Sequence, residues 1–407
     1  MPDSTVSRNR ALQNILRIAR PAEAVHVPPH EAVGLTATHD ISAYCDVPEQ
    51  ACSVRDGYAL RTADIGNAAP LTPVGLSVTQ TVCAESKQAA PVKPGEAARV
   101  LTGGLVPPCA DAVLAEEDVE IDGETIHVRT TARTGWFIRQ AGGEIARNDV
   151  IVRAGTPITP QAAAVMIRTR VPSVQVQPAP MARVIALGSE LSDPMGCGKE
   201  CDTARFPADN LVMTSGLLQR SGVTVTETGV LPDIEGRLVE VLATETLPQL
   251  VLTSGGTGRS ERDFARSSAL EAGFEMLFDR VDIRPGRNMF AASKGETLLF
   301  GLPGPPAAVF ACFHAMVLPV IRRLRGLADK EPTMARLTDG ISARPGGQWL
   351  VPCIIEHRGA DIIATPLASK ATPPMLAIGL AHGVALFNSG ESILPDGTVE
   401  VLSTQFE

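Results

Sequence analysis

Thr253-Ser254-Gly255-Gly256-Thr257-Gly258-Arg259-Ser260-Glu261-Arg262-Asp263 follows an apolar run, Leu250-Val251-Leu252, and leads into a segment, Asp263 to Ala272, that reads as a helix. Strand, glycine loop, helix is the order that turns unpaired backbone N–H groups toward an anion. Glycine lets the backbone approach a ligand with no Cβ in the way. Asp263, at the far edge of the loop, is placed to hold Mg²⁺ against a phosphate. Taken alone, the loop is equally well a tight strand-to-helix turn.

A second loop of the same kind lies downstream. Thr297-Leu298-Leu299-Phe300 is a short apolar strand, Gly301-Leu302-Pro303-Gly304-Pro305-Pro306 follows, and an apolar helix runs from about Ala307 to Leu324. Proline suits a helix start, where its missing N–H is an orphan anyway. Two such loops at the carboxyl ends of two strands of one sheet make one crevice, where open α/β sheets bind ligands.

Working outward, Arg183-Val184-Ile185-Ala186-Leu187 is an unbroken apolar run, expected as a buried parallel strand. Asp209 and Asn210 are expected to cap the helix that follows. Val223–Val230 reads as a strand, Glu235–Thr246 as a helix, and Phe278–Ile283 as another strand ending in Arg284-Pro285-Gly286-Arg287-Asn288. This alternation predicts a doubly wound α/β domain over about residues 180–326. Glu190, Asp233 and Asp263 then fall at or just past carboxyl ends of strands, with Arg284 and Arg287 beside another. Each alone is a solvated loop charge. Together they suit Mg²⁺ and a phosphate-bearing ligand.

The flanks are simpler. Residues 10–19 read as a helix, and Pro160 opens another. From Leu71 to Ile126, short alternating stretches broken by Pro and Gly predict a β-rich module. Near it, Asp56-Gly57 is a turn signal that leaves an exposed carboxylate, and Thr102-Gly103-Gly104 is a turn able to bind an anion by hydroxyl and amides. Val174 to Met181 reads as a linker or a last edge strand. After Gly326 short strands return, predicting a small C-terminal barrel or curled sheet.

Composition narrows the function. The net charge is −9 and aromatics are 4% of 407 residues, which argues against a nucleic-acid partner. The eight cysteines are scattered, as expected of reduced thiols in a cytoplasmic protein. Cys197 and Cys201 form the one close pair, without the further ligands of a zinc site. No secretory signal and no run long enough to cross a membrane are read from the sequence.

Several of these pieces, in this order, resemble the molybdopterin molybdenumtransferase family, MoeA and the gephyrin E domain. They are Asp46-Val47-Pro48, Asp56-Gly57-Tyr58-Ala59, Leu101-Thr102-Gly103, Ala110-Asp111-Ala112-Val113, Gly188 with Glu190-Leu191, Ser254-Gly255-Gly256, Pro285-Gly286, and Leu302-Pro303-Gly304 with Pro306. The resemblance spans nearly the whole chain. It implies Mg²⁺-dependent insertion of molybdate, or the near-isosteric tungstate, into adenylylated molybdopterin with release of AMP. It also implies four domains: an elongated first (residues 1–45 and 147–178) interrupted by a β-rich second (46–146), an α/β molybdopterin-binding third (179–327) and a β-barrel fourth (328–407). The family works as a homodimer with the site between the third domain of one subunit and the second of the other. An adenylyltransferase that supplies the substrate and the recipient molybdoenzymes are the protein partners so implied. Asp56, Thr102, Glu190, Asp233 and Asp263 match the family's active-site positions, Glu190, Asp233 and Asp263 also as metal ligands. Glu144 stands where the family usually has Asp. Thr102, Glu144, Gly255, Gly256, Thr257, Gly258, Arg287 and Gly304 are the implied cofactor-binding residues.

The chain departs from the pattern in four loops. The family's Thr-Gly-Asp-Glu reads Leu187-Gly188-Ser189-Glu190, Gly-Gly-Val-Ser-x-Gly reads Gly255-Gly256-Thr257-Gly258-Arg259-Ser260, Pro-Gly-Lys-Pro reads Pro285-Gly286-Arg287-Asn288, and Pro-Gly-Asn-Pro reads Pro303-Gly304-Pro305-Pro306. Gly255-Gly256-Thr257-Gly258 with Arg262-Asp263 resembles the related molybdopterin adenylyltransferases. Two alternatives therefore stand beside insertion: adenylyl transfer from ATP, and a non-catalytic molybdopterin carrier or sensor.

Overall fold

The computed structural model describes residues 5–194, 205–258, 264–367 and 372–406. Its centre is a six-stranded sheet. In chain order the elements are β1 (Met181–Leu187), α1 (Asp209–Arg220), β2 (Thr224–Leu231), α2 (Glu235–Leu242), β3 (Leu250–Ser254), α3 (Ala265–Glu271), β4 (Glu275–Phe278), β5 (Phe290–Lys294), β6 (Thr297–Leu302) and the 19-residue helix α4 (Pro306–Leu324). The strand order is β2-β1-β3-β6-β5-β4. The first four strands are parallel neighbours, and β5 and β4 continue the sheet antiparallel.

Successive residues of a strand face opposite ways, so an unbroken apolar run must be covered on both sides. Val184 and Ala186 of β1 enter one core with α1, α4 and the N-terminal helix Arg8–Leu16. Ile185 and Leu187 enter another with α2 and α3. This is the doubly wound arrangement expected. Helix α4 is long and apolar enough to cross a bilayer by length and composition, where the sequence reading found no such run. Its window is 78% buried inside the protein, which accounts for its composition.

The β-rich region around residues 57–128 is a second six-stranded sheet, and Gly57–Leu60 is one of its buried strands. At the C-terminal end, Gln348–Arg358, Asp361–Pro366, Met334–Leu337, Thr398–Leu402 and Gly383–Phe387 pair in turn, and the last returns to the first. The five strands close into a barrel around Cys353, Ala385, Phe387 and Val401.

Three expectations are corrected. Val174–Gln177 is the middle strand of a three-stranded sheet, between Val25–Val27 and Thr36–Ala37. The prolines at 172 and 178 flank this strand without interrupting its ladder. Asp209 and Asn210 do not cap α1. Ala208 holds the cap position with no side-chain bond, and Asp209 is already helical. Phe278–Ile283 is not one strand: β4 ends at Phe278, and Ile283–Arg284 pairs with Gln348–Trp349 of the barrel. Arg284 and Arg287 are therefore not at the carboxyl end of a strand of the central sheet.

Candidate active site

The carboxyl ends of β1, β2, β3 and β6 open into a cleft of about 650 Å³. Its described walls are Ala186–Leu187 with Glu190–Leu191, Ala208–Asn210, Asp233, the glycine loop Ser254–Gly258, Asn288, and Pro303–Pro305. The two glycine loops thus meet in one crevice, as a parallel sheet with strand order reversing at β1 and β3 requires.

Close approach explains one glycine. Gly255 has φ +92°, and a Cβ there would lie 2.6 Å from the Leu187 carbonyl oxygen. The loop folds down onto the end of β1, which only glycine permits. Across the cleft, Asn210 Nδ2 donates to the Gly304 carbonyl at 2.7 Å. That bond ties the proline loop to the start of α1, although Pro305 has replaced an amide side chain with one that has no donor.

Glu190 and Asp233 both line the cleft. Asp233 is held reciprocally: its N–H donates to Ser189 Oγ at 2.9 Å, and the Ser189 N–H donates to Asp233 Oδ2 at 3.3 Å. Among the described residues, no hydrogen bond engages the Glu190 carboxylate and none but Ser189 engages that of Asp233. Asp263 lies outside the described residues, as do Cys197 and Cys201. Among the described residues, no group of three His, Cys, Asp or Glu side chains is placed to hold a metal ion.

The remaining sequence-derived residues sit elsewhere in the chain. Asp56 and Thr102 are in the β-rich region, where Asp56 Oδ1 accepts from the Thr102 N–H at 2.7 Å and its hydroxyl at 2.8 Å. The Thr102 backbone and side-chain donors hold the Asp56 carboxyl below its usual range. Glu144 is ion-paired with Arg139. Arg287 is exposed, and its side chain has no partner among the described residues. Neither it nor Asp56, Thr102 or Glu144 lines the cleft. Sequence reasoning missed Ser254 and Asp209 as site residues and took Asn210 only for a cap. Ser254 ends β3 beside the glycine loop, whereas Asp209 opens α1 with no such neighbour in sequence.

Residues 6–169 match the family model of the MoeA N-terminal region (domain I and II), and residues 183–323 match that of the probable molybdopterin binding domain. The chain belongs to the MoeA family. Among MoeA relatives, the molybdopterin molybdenumtransferase of Bacillus subtilis is 26% identical over 407 residues, 97% of this chain and 93% of its own. Molybdopterin molybdenumtransferase 2 of Mycobacterium tuberculosis is 25% identical, over 89% of this chain and 90% of its own. A crystal structure of the molybdopterin biosynthesis MoeA protein from Pyrococcus horikoshii is 25% identical with a TM-score of 0.81, covering 98% of this chain and 99% of that one. At that coverage the likeness takes in the barrel as well as the central sheet.

Proposed function

We propose that this MoeA-family chain acts in molybdenum cofactor biosynthesis by inserting molybdate or tungstate into adenylylated molybdopterin, with release of AMP. One observation carries the reading: both glycine loops and two carboxylates, Glu190 and Asp233, converge on one cleft. The homodimer, and a site completed by Asp56, Thr102 and Glu144 of a second copy, belong to the same proposal. These three lie away from the cleft of their own chain, which fits a contribution in trans.

Mg²⁺ fits this donor set. It is held by one or two carboxylates together with substrate phosphates and keeps several waters. Glu190 and Asp233 offer hard oxygens with few competing bonds, and Asp263 is a third candidate. Bound there, Mg²⁺ would neutralise the charge that develops when a phosphoanhydride breaks. The protein's own part is positioning. The Gly255–Gly258 backbone can approach a phosphate closely, the Ser189–Asp233 pair fixes one carboxylate, and Asn210 holds the proline loop in place. The test is AMP release from adenylylated molybdopterin by purified protein with Mg²⁺ and molybdate or tungstate. Asp233→Asn is expected to abolish it. Release of AMP by that variant at the wild-type rate would remove Asp233 from the site. ATP-dependent conversion of free molybdopterin would instead support the adenylyltransferase alternative.

A further inference from the structure

Arg266, in the first turn of α3, is not in the cleft wall, yet it touches two segments that are. Its Nη1 donates to the Thr257 carbonyl at 2.5 Å, and Nη2 donates to the Asn288 carbonyl at 2.6 Å. Nε donates to Asp279 Oδ1 at 2.5 Å, and Nη2 also reaches the Asp279 carbonyl at 3.1 Å. The guanidinium carbon sits 5.0 Å above the Phe290 ring centroid. The side chain is 17% exposed. A planar fork of donors fixes several acceptors at once, and an ammonium on a flexible stem cannot.

The two carbonyls it joins belong to the glycine loop and to the segment after Pro285-Gly286, on opposite sides of α3 in sequence. Nothing else among the hydrogen bonds described joins Thr257 to Asn288. The anchor beneath belongs to the sheet edge: Asp279 follows β4, and Phe290 begins β5. We infer that Arg266 is a positioning residue that clamps the glycine loop to the Asn288 segment and so sets the width of the cleft where a phosphate-bearing ligand enters. It acts through Thr257 and Asn288, not by contact with the ligand. The inference rests on the reading of this cleft as the molybdopterin-nucleotide site.

Two measurements on the full-length protein test it. Calorimetric titration with AMP and Mg²⁺ should show Arg266→Met binding about tenfold more weakly than wild type, the scale of losses when outer supports of a site are removed. Arg266→Lys keeps the charge without the fork and should stay nearly as weak. Asp279→Ala, which removes the side-chain anchor and spares the two carbonyl bonds, should lose less. Hydrogen exchange should speed at Gly255–Gly258 in Arg266→Met, while the amides of β1 and β3 keep wild-type protection. Unchanged AMP affinity in Arg266→Met would overturn the clamp. So would full rescue by Lys, or exchange that rises equally in β3, which marks general destabilisation. A wild-type protein that does not bind AMP would contradict the insertion reading, and the exchange result would still decide whether Arg266 holds the loop.

Discussion

Ser189, beside the cleft, puts a hydroxyl at a position where MoeA-type sequences carry a carboxylate. The hydroxyl accepts from the Asp233 N–H and so serves the carboxylate that remains. Ser189→Ala is expected to lower turnover about tenfold, the effect of loosening an outer support. It should cost about 1 kcal/mol of stability, the worth of one hydrogen bond. Steady-state kinetics beside a urea melt would separate the two. Asp233→Asn and Glu190→Gln should each lower turnover by at least ~100-fold, since a site ligand matters more than its support, with the melt little changed. His314 lies outside the cleft. It is buried in α4 with Nδ1 2.9 Å from the Phe310 carbonyl, and desolvation, with Arg220 nearby, lowers its pKa to about 4. The unfolded chain, near 6.5, binds the proton that the folded chain refuses. Stability therefore rises with pH between about 4 and 6.5 and is lost as pH falls through that window, by up to roughly 3 kcal/mol. Urea melts across that range should show the loss in wild type and a flatter profile in His314→Gln.

The loops owe their shape to the strands beneath them. Phe290 and Gly301 are cross-strand partners in β5 and β6. A Cβ at Gly301 would lie 1.9 Å from the Phe290 ring. Gly301→Ala must therefore displace the ring on which Arg266 rests. Overpacking of this kind costs about 1–3 kcal/mol, and a thermal melt of that variant should fall accordingly while AMP affinity falls with it. The parallel strands and their helices were legible because apolar runs such as Val184–Leu187 and Leu250–Leu252 can only be strands covered on both faces. β5 was not legible. Phe290-Ala291-Ala292-Ser293-Lys294 is short, built of small residues, and neither alternates nor carries β-branched side chains. It exists because a hairpin with Thr297–Leu302 buries it against the sheet. Ahead of that hairpin Arg284 pairs with the barrel, and Asn288, one residue past Arg287, is the part of the segment that lines the cleft.

At the scale of the molecule, the two halves of the sequence-derived site lie in different regions of one chain. Glu190, Asp233 and the glycine loops were legible as one site because each follows a strand of one sheet. Asp56, Thr102 and Glu144 could be joined to them only through family resemblance, because nothing local in sequence links a β-rich module to a distant crevice. A shared site between two copies makes a specific prediction. Asp56→Asn and Asp233→Asn should each be inactive alone. When co-refolded, a two-fold dimer with one intact site per mixed pair should recover roughly a quarter of wild-type turnover. No recovery from mixed dimers would place the whole site within one chain.

The most direct measurement is a single-turnover assay of the purified protein with adenylylated molybdopterin and Mg²⁺, run with and without molybdate or tungstate. AMP and metal bound to the pterin are followed together. AMP release should depend on the oxyanion, with one metal inserted for each AMP released. Tight binding of the nucleotide with no release under any oxyanion would contradict it and leave the cleft a carrier site.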